Sequence, residues 1–314
     1  MEKENNKENV EQFAINNENS NIKGDIQMQK AYKAAAKMSS KIIEETDPEG
    51  YKFLKDVKNS DIIITKGEYD HGQVIFELIG IPFSLIEPNE LEKVELRDDQ
   101  IIFINCPGRL TGRGLERVKS FVLNGGMLVT TDWALKNVLE EIFPTKVKFN
   151  SITTGDDVVR VVFENVQDTF LDGLLDPNDE PVWWLEGSSY PIKILDEKSV
   201  MVLVSSKEMK ERYRESPIVV TFEEGNGKVY HLTSHFYLQR TETRSKRHQE
   251  KGTTYAAMKG MSKESFSDDE LEALGDVNTA QVESAYTSAR TLSNMVMEQK
   301  KRVEKRKKSS TKDQ

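Results

Sequence analysis

Short, wholly apolar runs alternate along the first half of the chain with stretches whose apolar residues recur every three or four positions. The runs 61–65 (DIIIT), 83–86 (FSLI), 100–105 (QIIFIN) and 127–130 (MLVT) are too short and too uniformly apolar for amphipathic helices and read as strands buried on both faces. Between them, 72–80 (GQVIFELIG), 114–123 and 133–143 carry the helical period; in the second of these Leu115, Val118, Phe121 and Val122 fall on one face. Apolar strands separated by helices predict a parallel sheet covered on both sides. After Pro144 the texture becomes β-rich at 146–149, 158–163, 192–195, 200–205, 218–222 and 228–233, with 224–228 (EGNGK) as a hairpin turn between the last two. The expected fold is α/β, a mostly parallel doubly wound (flavodoxin-like) sheet with an inserted β segment and helical tails.

The flanks differ from this centre. Residues 1–24 are too polar to fold alone and read as a disordered head. Residues 25–57 contain AYKAAAKMSSKIIEE, a good helix former stopped by Pro48 and Gly50. The α/β domain then occupies 58–240. A charged, turn-rich 241–270 reads as a linker, and 271–314 as a helix with a basic end. In that helix Val282, Ala285, Ala289, Leu292, Val296 and Val303 alternate three- and four-residue spacings, with Gln299 in the one missing slot. Alanines in the seam make a weak coiled coil, so residues 282–303 are expected to dock on a protein partner or on the chain's own domain.

Composition narrows the functional classes. A net charge of −9 argues against a general nucleic-acid binder, which needs a basic face. Cys106 is the only cysteine, so no internal disulfide can form and a reducing, cytoplasmic setting is expected. No apolar run approaches the roughly 18–20 residues that span a bilayer, and no membrane span is expected. No pattern in the chain assigns a cofactor or a metal. The only close histidine pair, His231 and His235, lies on a strand whose alternation does not guarantee a common face.

Three segments in order, IIFINCPGR, FVLNGG and MLVTTDWALKNVL, resemble the class I glutamine amidotransferase-like superfamily. FVLNGGML is similar to its non-catalytic branches, the ThuA-like proteins and the GIFT domains of gliding and intraflagellar-transport proteins. With DIIITKGEYDHG and GNGKVYHLTSHFYLQR, the resemblance covers about residues 58–240. It implies an oxyanion-hole loop at Cys106-Pro107-Gly108, a general base at His235 and a nucleophile at the position held by Asp132. A carboxylate cannot replace cysteine in glutamine hydrolysis by the same route. The resemblance therefore implies a pseudoenzyme, a binding or assembly module without the superfamily's catalytic nucleophile.

The candidate residues gather at the C-terminal ends of the expected strands, where open α/β sheets form their ligand crevices. Glu68, Asp70, His71, Cys106, Arg109, Asp132 and His235 all belong to those loops. Trp183 and Trp184, near Tyr190, offer an aromatic surface for a ligand or peptide, or else core packing. Asp132 also suits the N-cap of the 133–143 helix, and Cys106 a small apolar filler. The alternative function is a hydrolase using His235 as base, with Asp132 or His71 orienting water or a metal.

Overall fold

The computed structural model describes residues 22–174, 179–235 and 241–312. The head expected at 1–24 lies almost wholly outside them. Two helices open the described chain, α1 (Ile22–Thr46) and α2 (Pro48–Lys55). The Asp47 side chain accepts from the Gly50 amide and caps α2. Strand β1 (Ile62–Thr65), helix α3 (Gln73–Ile79), β2 (Ser84–Ile86), β3 (Ile101–Ile104), helix α4 (Gly112–Asn124) and β4 (Met127–Thr131) follow. A wide helical turn, Leu135–Leu139, runs into α5 (Glu140–Ile142).

The β-rich part supplies β5 (Val147–Phe149), β6 (Asp157–Arg160), β7 (Val162–Phe163), β8 (Val182–Leu185), β9 (Ile192–Ile194) and β10 (Met201–Ser205). Helix α6 (Lys207–Tyr213) precedes the hairpin β11 (Pro217–Glu224) and β12 (Gly227–Leu232). The central sheet has eight strands in the order β2-β1-β3-β4-β12-β11-β10-β7. The first five are parallel; β11, β10 and β7 continue antiparallel. The parallel part thus has the 2-1-3-4-5 order compatible with a flavodoxin-like sheet, its fifth position filled by β12. Two small antiparallel pairs, β5-β9 and β6-β8, stand outside it.

Alternation along each strand builds two cores. Ile62, Ile64, Ile101, Phe103, Met127 and Val129 face one side, with α1, α3 and the C-terminal helices. Ile63, Ile102, Ile104 and Leu128 face the other, with α4 and the 135–142 helical segment. Among the strands of the parallel region, β1, β3, β4 and β12 are buried at every residue; the first three are apolar runs for that reason, whereas β12 buries Lys228, Tyr230 and His231 with polar partners.

For the C-terminal part the linker is corrected, and of the two alternatives for the 282–303 stripe the structure shows packing on the chain's own domain and not an open docking face. Residues 241–270 are not a linker. They contain α7 (Gly252–Met258) and enter α8 (Asp268–Asp276), with His248, Tyr255, Ala256, Met261 and Phe266 buried. The stripe on α9 (Thr279–Lys312) is not open to a partner: Val282, Ala285, Ala289, Leu292, Val296 and Val303 are all buried within the chain, against α1, α2 and α7 among others. Gln299, the polar residue in the seam, is buried too, and its amide donates to the carbonyls of Asp98, Gln100 and Gly125 at 3.2–3.3 Å. A leucine there would leave three loop carbonyls without that donor. Gly125 has φ 128°, a region closed to most side chains, and a Cβ would strike the Arg306 guanidinium that bonds its carbonyl.

His231 on β12 is fully buried, and Thr130 bonds its Nδ1 at 2.8 Å. Burial lowers its pKa from 6.5 to about 3. Below pH 6.5 the unfolded chain therefore takes up a proton that the folded chain refuses, and stability falls as pH falls. Between pH 7 and 5 this group is expected to remove about 2 kcal/mol. Urea unfolding of wild type and His231→Gln at both pH values checks it: the variant should show a pH dependence flatter by that amount, and parallel curves would refute the assignment.

Candidate functional site

The parallel strands β1, β3, β4 and β12 end at one edge of the sheet, and the loop after each delivers one polar group to the same place. Cys106 follows β3, Asp132 follows β4, His235 follows β12, and Asp70 lies in the loop after β1. One ligand atom each from Cys106, Asp132 and His235 lies within 4.8 Å of the others. All three residues are buried, at 1%, 3% and 8% exposure.

Asp132 sits at φ 45°, at the corner between β4 and the following helix. Its side chain does not cap that helix. It crosses to another loop, where Oδ1 accepts from the Tyr190 amide at 2.8 Å and Oδ2 from the Ser189 hydroxyl at 3.1 Å. Ser189 Oγ in turn accepts from Ser234, whose own Oγ accepts from the Glu186 amide. Oδ2 also faces Cys106 Sγ at 3.9 Å and His235 Nε2 at 3.6 Å. His235 Nδ1 pairs with the carboxylate of Glu186. Of the five non-glycine residues with positive φ among those described, Asp132 and Ser234 belong to this cluster and Ser188 adjoins it in sequence, before Ser189. Such backbone strain persists where surrounding contacts over-determine it, a frequent property of working sites.

The Cys106 loop is held equally firmly. The Cys106 amide donates to Thr131 Oγ1, and that hydroxyl donates to Asp70. The Cys106 carbonyl accepts from the amides of Glu68 and Tyr69 at 3.1 and 3.4 Å. Gly67 makes this crossing feasible, because a Cβ there would lie 2.3 Å from the Asp70 carbonyl and 2.7 Å from that of Cys106. Asn105 ties the loops together, accepting from the Gly72 amide and donating to the Thr65 carbonyl.

The charges of the cluster depend on one another. Burial opposes a charged His235, yet Asp70, the Cys106 thiol and Glu186 together hold its pKa well above 6.5. Burial raises Asp132 to about 7 against the pull of His235 and its hydrogen bonds. Burial likewise lifts the Cys106 thiol to about 11, with the Asp132 carboxylate adding to the rise and His235 opposing it. His71 is lowered by burial, Asp70 opposing.

The sequence candidates separate into two groups. Cys106, Asp132 and His235 converge, with Asp70 bound to Thr131 beside them. Glu68 and Arg109 pair with each other in solvent at 3.0 Å, a contact of little energetic weight. Trp183 is buried and donates to the Thr233 carbonyl at 3.0 Å, anchoring the strand end that precedes His235. Trp184 packs against the core and bonds Asp156. The tryptophan pair is therefore not an open platform. The aromatic surface near the site is a different set: Tyr69 meets Trp133 edge-on at 5.2 Å, and Trp133 stacks with Tyr190 at 5.5 Å. Tyr69 is 52% exposed.

Glu186, Ser189, Ser234 and Thr131 escaped the sequence reading. The polar run Glu186-Gly-Ser-Ser-Tyr190 inside a β-rich stretch was the signal that could have found the first two.

No family model and no curated protein matches the chain. Similar solved structures include a ThuA-like protein from Bacteroides uniformis (15% identity, 57% of this chain and 84% of that one, TM-score 0.41). A cytoplasmic protein of Salmonella typhimurium is also similar (14% identity, 56% and 89%, TM-score 0.40). A third is a β-galactosidase from Bacillus circulans (16% identity, TM-score 0.38), of which the chain covers 31% while 59% of the chain itself is matched. The chain thus spans under a third of that enzyme's length. Likenesses this loose decide neither family nor chemistry.

Proposed function

We propose that the strand-end cluster is a hydrolytic centre, in which His235 moves the proton and Asp132 orients the attacking water. The observation that carries this reading is the chain Glu186–His235–Asp132. Glu186 holds Nδ1, which turns Nε2 toward Asp132 Oδ2 at 3.6 Å, so that a histidine able to carry a proton stands beside a buried carboxylate, the pairing acid–base catalysis uses. The tail-docking version of a binding module loses its support, because the 282–303 stripe has no exposed face to offer.

Within the amidotransferase-like reading, Asp132 occupies the corner where the superfamily's thiol would stand. Glutamine hydrolysis through a cysteine at that corner is therefore not expected. Ligand recognition alone, without chemistry, is a second reading, and the aromatic rim of Tyr69, Trp133 and Tyr190 favours it.

The test uses the full chain against p-nitrophenyl acetate, p-nitrophenyl phosphate and glutamine p-nitroanilide, each with and without added Zn2+. Turnover of at least one is expected, falling about 100-fold in His235→Ala while the thermal midpoint is preserved. No turnover above background, or a His235→Ala variant as active as wild type, would overturn the hydrolytic reading and leave recognition.

A further inference from the structure

We infer that Cys106, Asp132 and His235 form a three-ligand site for a divalent transition metal of the zinc class. The inference builds on the hydrolytic reading of the same cluster but rests on its own observations. First, the donors are one sulfur, one carboxylate oxygen and one imidazole nitrogen, a set that suits zinc or cobalt and not magnesium or calcium. Second, His235 Nε2 is buried, faces the other two ligand atoms and has no hydrogen-bond partner. A buried ring nitrogen without a hydrogen bond is costly, and a metal that replaces its proton removes that cost.

The second shell is already that of a metal site. Glu186 holds the Nδ1 proton, and a metal entering the cluster would release the Nε2 proton to solvent and take the lone pair, the carboxylate–histidine–metal pattern. Asp132 is fixed by Tyr190 and Ser189, and its Oδ2 is the oxygen common to both Sγ and Nε2. A tetrahedral zinc centre needs about 3.3 Å between nitrogen and oxygen ligands and about 3.5 Å between sulfur and oxygen. The observed 3.6 and 3.9 Å require these two pairs to close by a few tenths of an ångström, and the third pair, Sγ and Nε2, lies within 4.8 Å.

On metal binding the Cys106 thiol proton would leave to solvent as the metal–sulfur bond forms. Three protein ligands leave a fourth position for water, where the metal would lower that water's pKa.

The experiment is titration of the full, chelator-treated chain with Zn2+ by calorimetry and with Co2+ by absorbance. One equivalent of each is expected to bind, with a thiolate-to-cobalt charge-transfer band. Mg2+ should not compete. Cys106→Ser should lose that band and bind Zn2+ at least tenfold more weakly, and Glu186→Gln should weaken binding about tenfold through the second shell. Absence of uptake, or a wild-type cobalt spectrum without the thiolate band, overturns the inference whatever the variants do. Metal uptake without hydrolysis would refute the proposed activity alone; hydrolysis by metal-free protein that takes up no cobalt would refute the metal alone.

Discussion

A chain ending at Asn278 is expected not to fold. Removing α9 strips from the core the side chains of Val282, Tyr286, Leu292, Met295 and Val296, each at most 2% exposed. Burying a side chain of that size contributes about 1.5–3 kcal/mol, so these five exceed roughly 7 kcal/mol together. That is comparable with the entire 5–15 kcal/mol by which an ordinary domain is stable. Polar losses add to it: Arg290 Nε and Asn294 Nδ2 donate to the carbonyl of Asp172, and Asn294 also to that of Phe170. Circular dichroism during heating should show a cooperative transition for the full chain and none for the truncated one. A truncated chain melting cooperatively within a few degrees of the full one would show that α9 is a dispensable tail.

Lys228→Met is expected to cost about 3–5 kcal/mol, the largest single-residue effect anticipated here. Lys228 Nζ lies 2.8 Å from both Asp168 Oδ2 and Glu298 Oε1, and all three side chains are about nine-tenths buried. The hydroxyl of Tyr230 bonds both carboxylates. Without the ammonium, two carboxylates face each other in the interior with only a phenol between them. Adding Glu298→Gln to Lys228→Met removes one of those charges and should recover more than about 1 kcal/mol, a coupling that loss of packing alone would not produce. Urea unfolding of the wild type, both single variants and the double variant measures it. A cost below about 1 kcal/mol for Lys228→Met would mean that water reaches the pair.

The central sheet was legible because its information is local. Apolar runs with no polar alternation mark strands covered on both sides, as β1, β3 and β4 are, and helical spacing between them implies parallel connections; β2, read the same way, is the sheet edge, with Leu85 43% exposed. Parallel strands place all their C-terminal ends at one edge, so Cys106, Asp132 and His235 were bound to share a rim once their strands were recognised. What local pattern could not encode is which distant group answers each of them. Glu186 reaches His235 from just beyond β8, a strand outside the main sheet, and Asp132 turns away from its own helix to Ser189 and Tyr190. Those pairings depend on how loops far apart in the chain close over the sheet, and no periodicity records that. The same holds for α9. Its spacing of small and apolar residues specifies a stripe to be covered, but a stripe is indifferent to what covers it. Only the packed chain shows that α1 and the neighbouring helices do so, because burial is a property of the assembled surfaces and not of the sequence that prepares them.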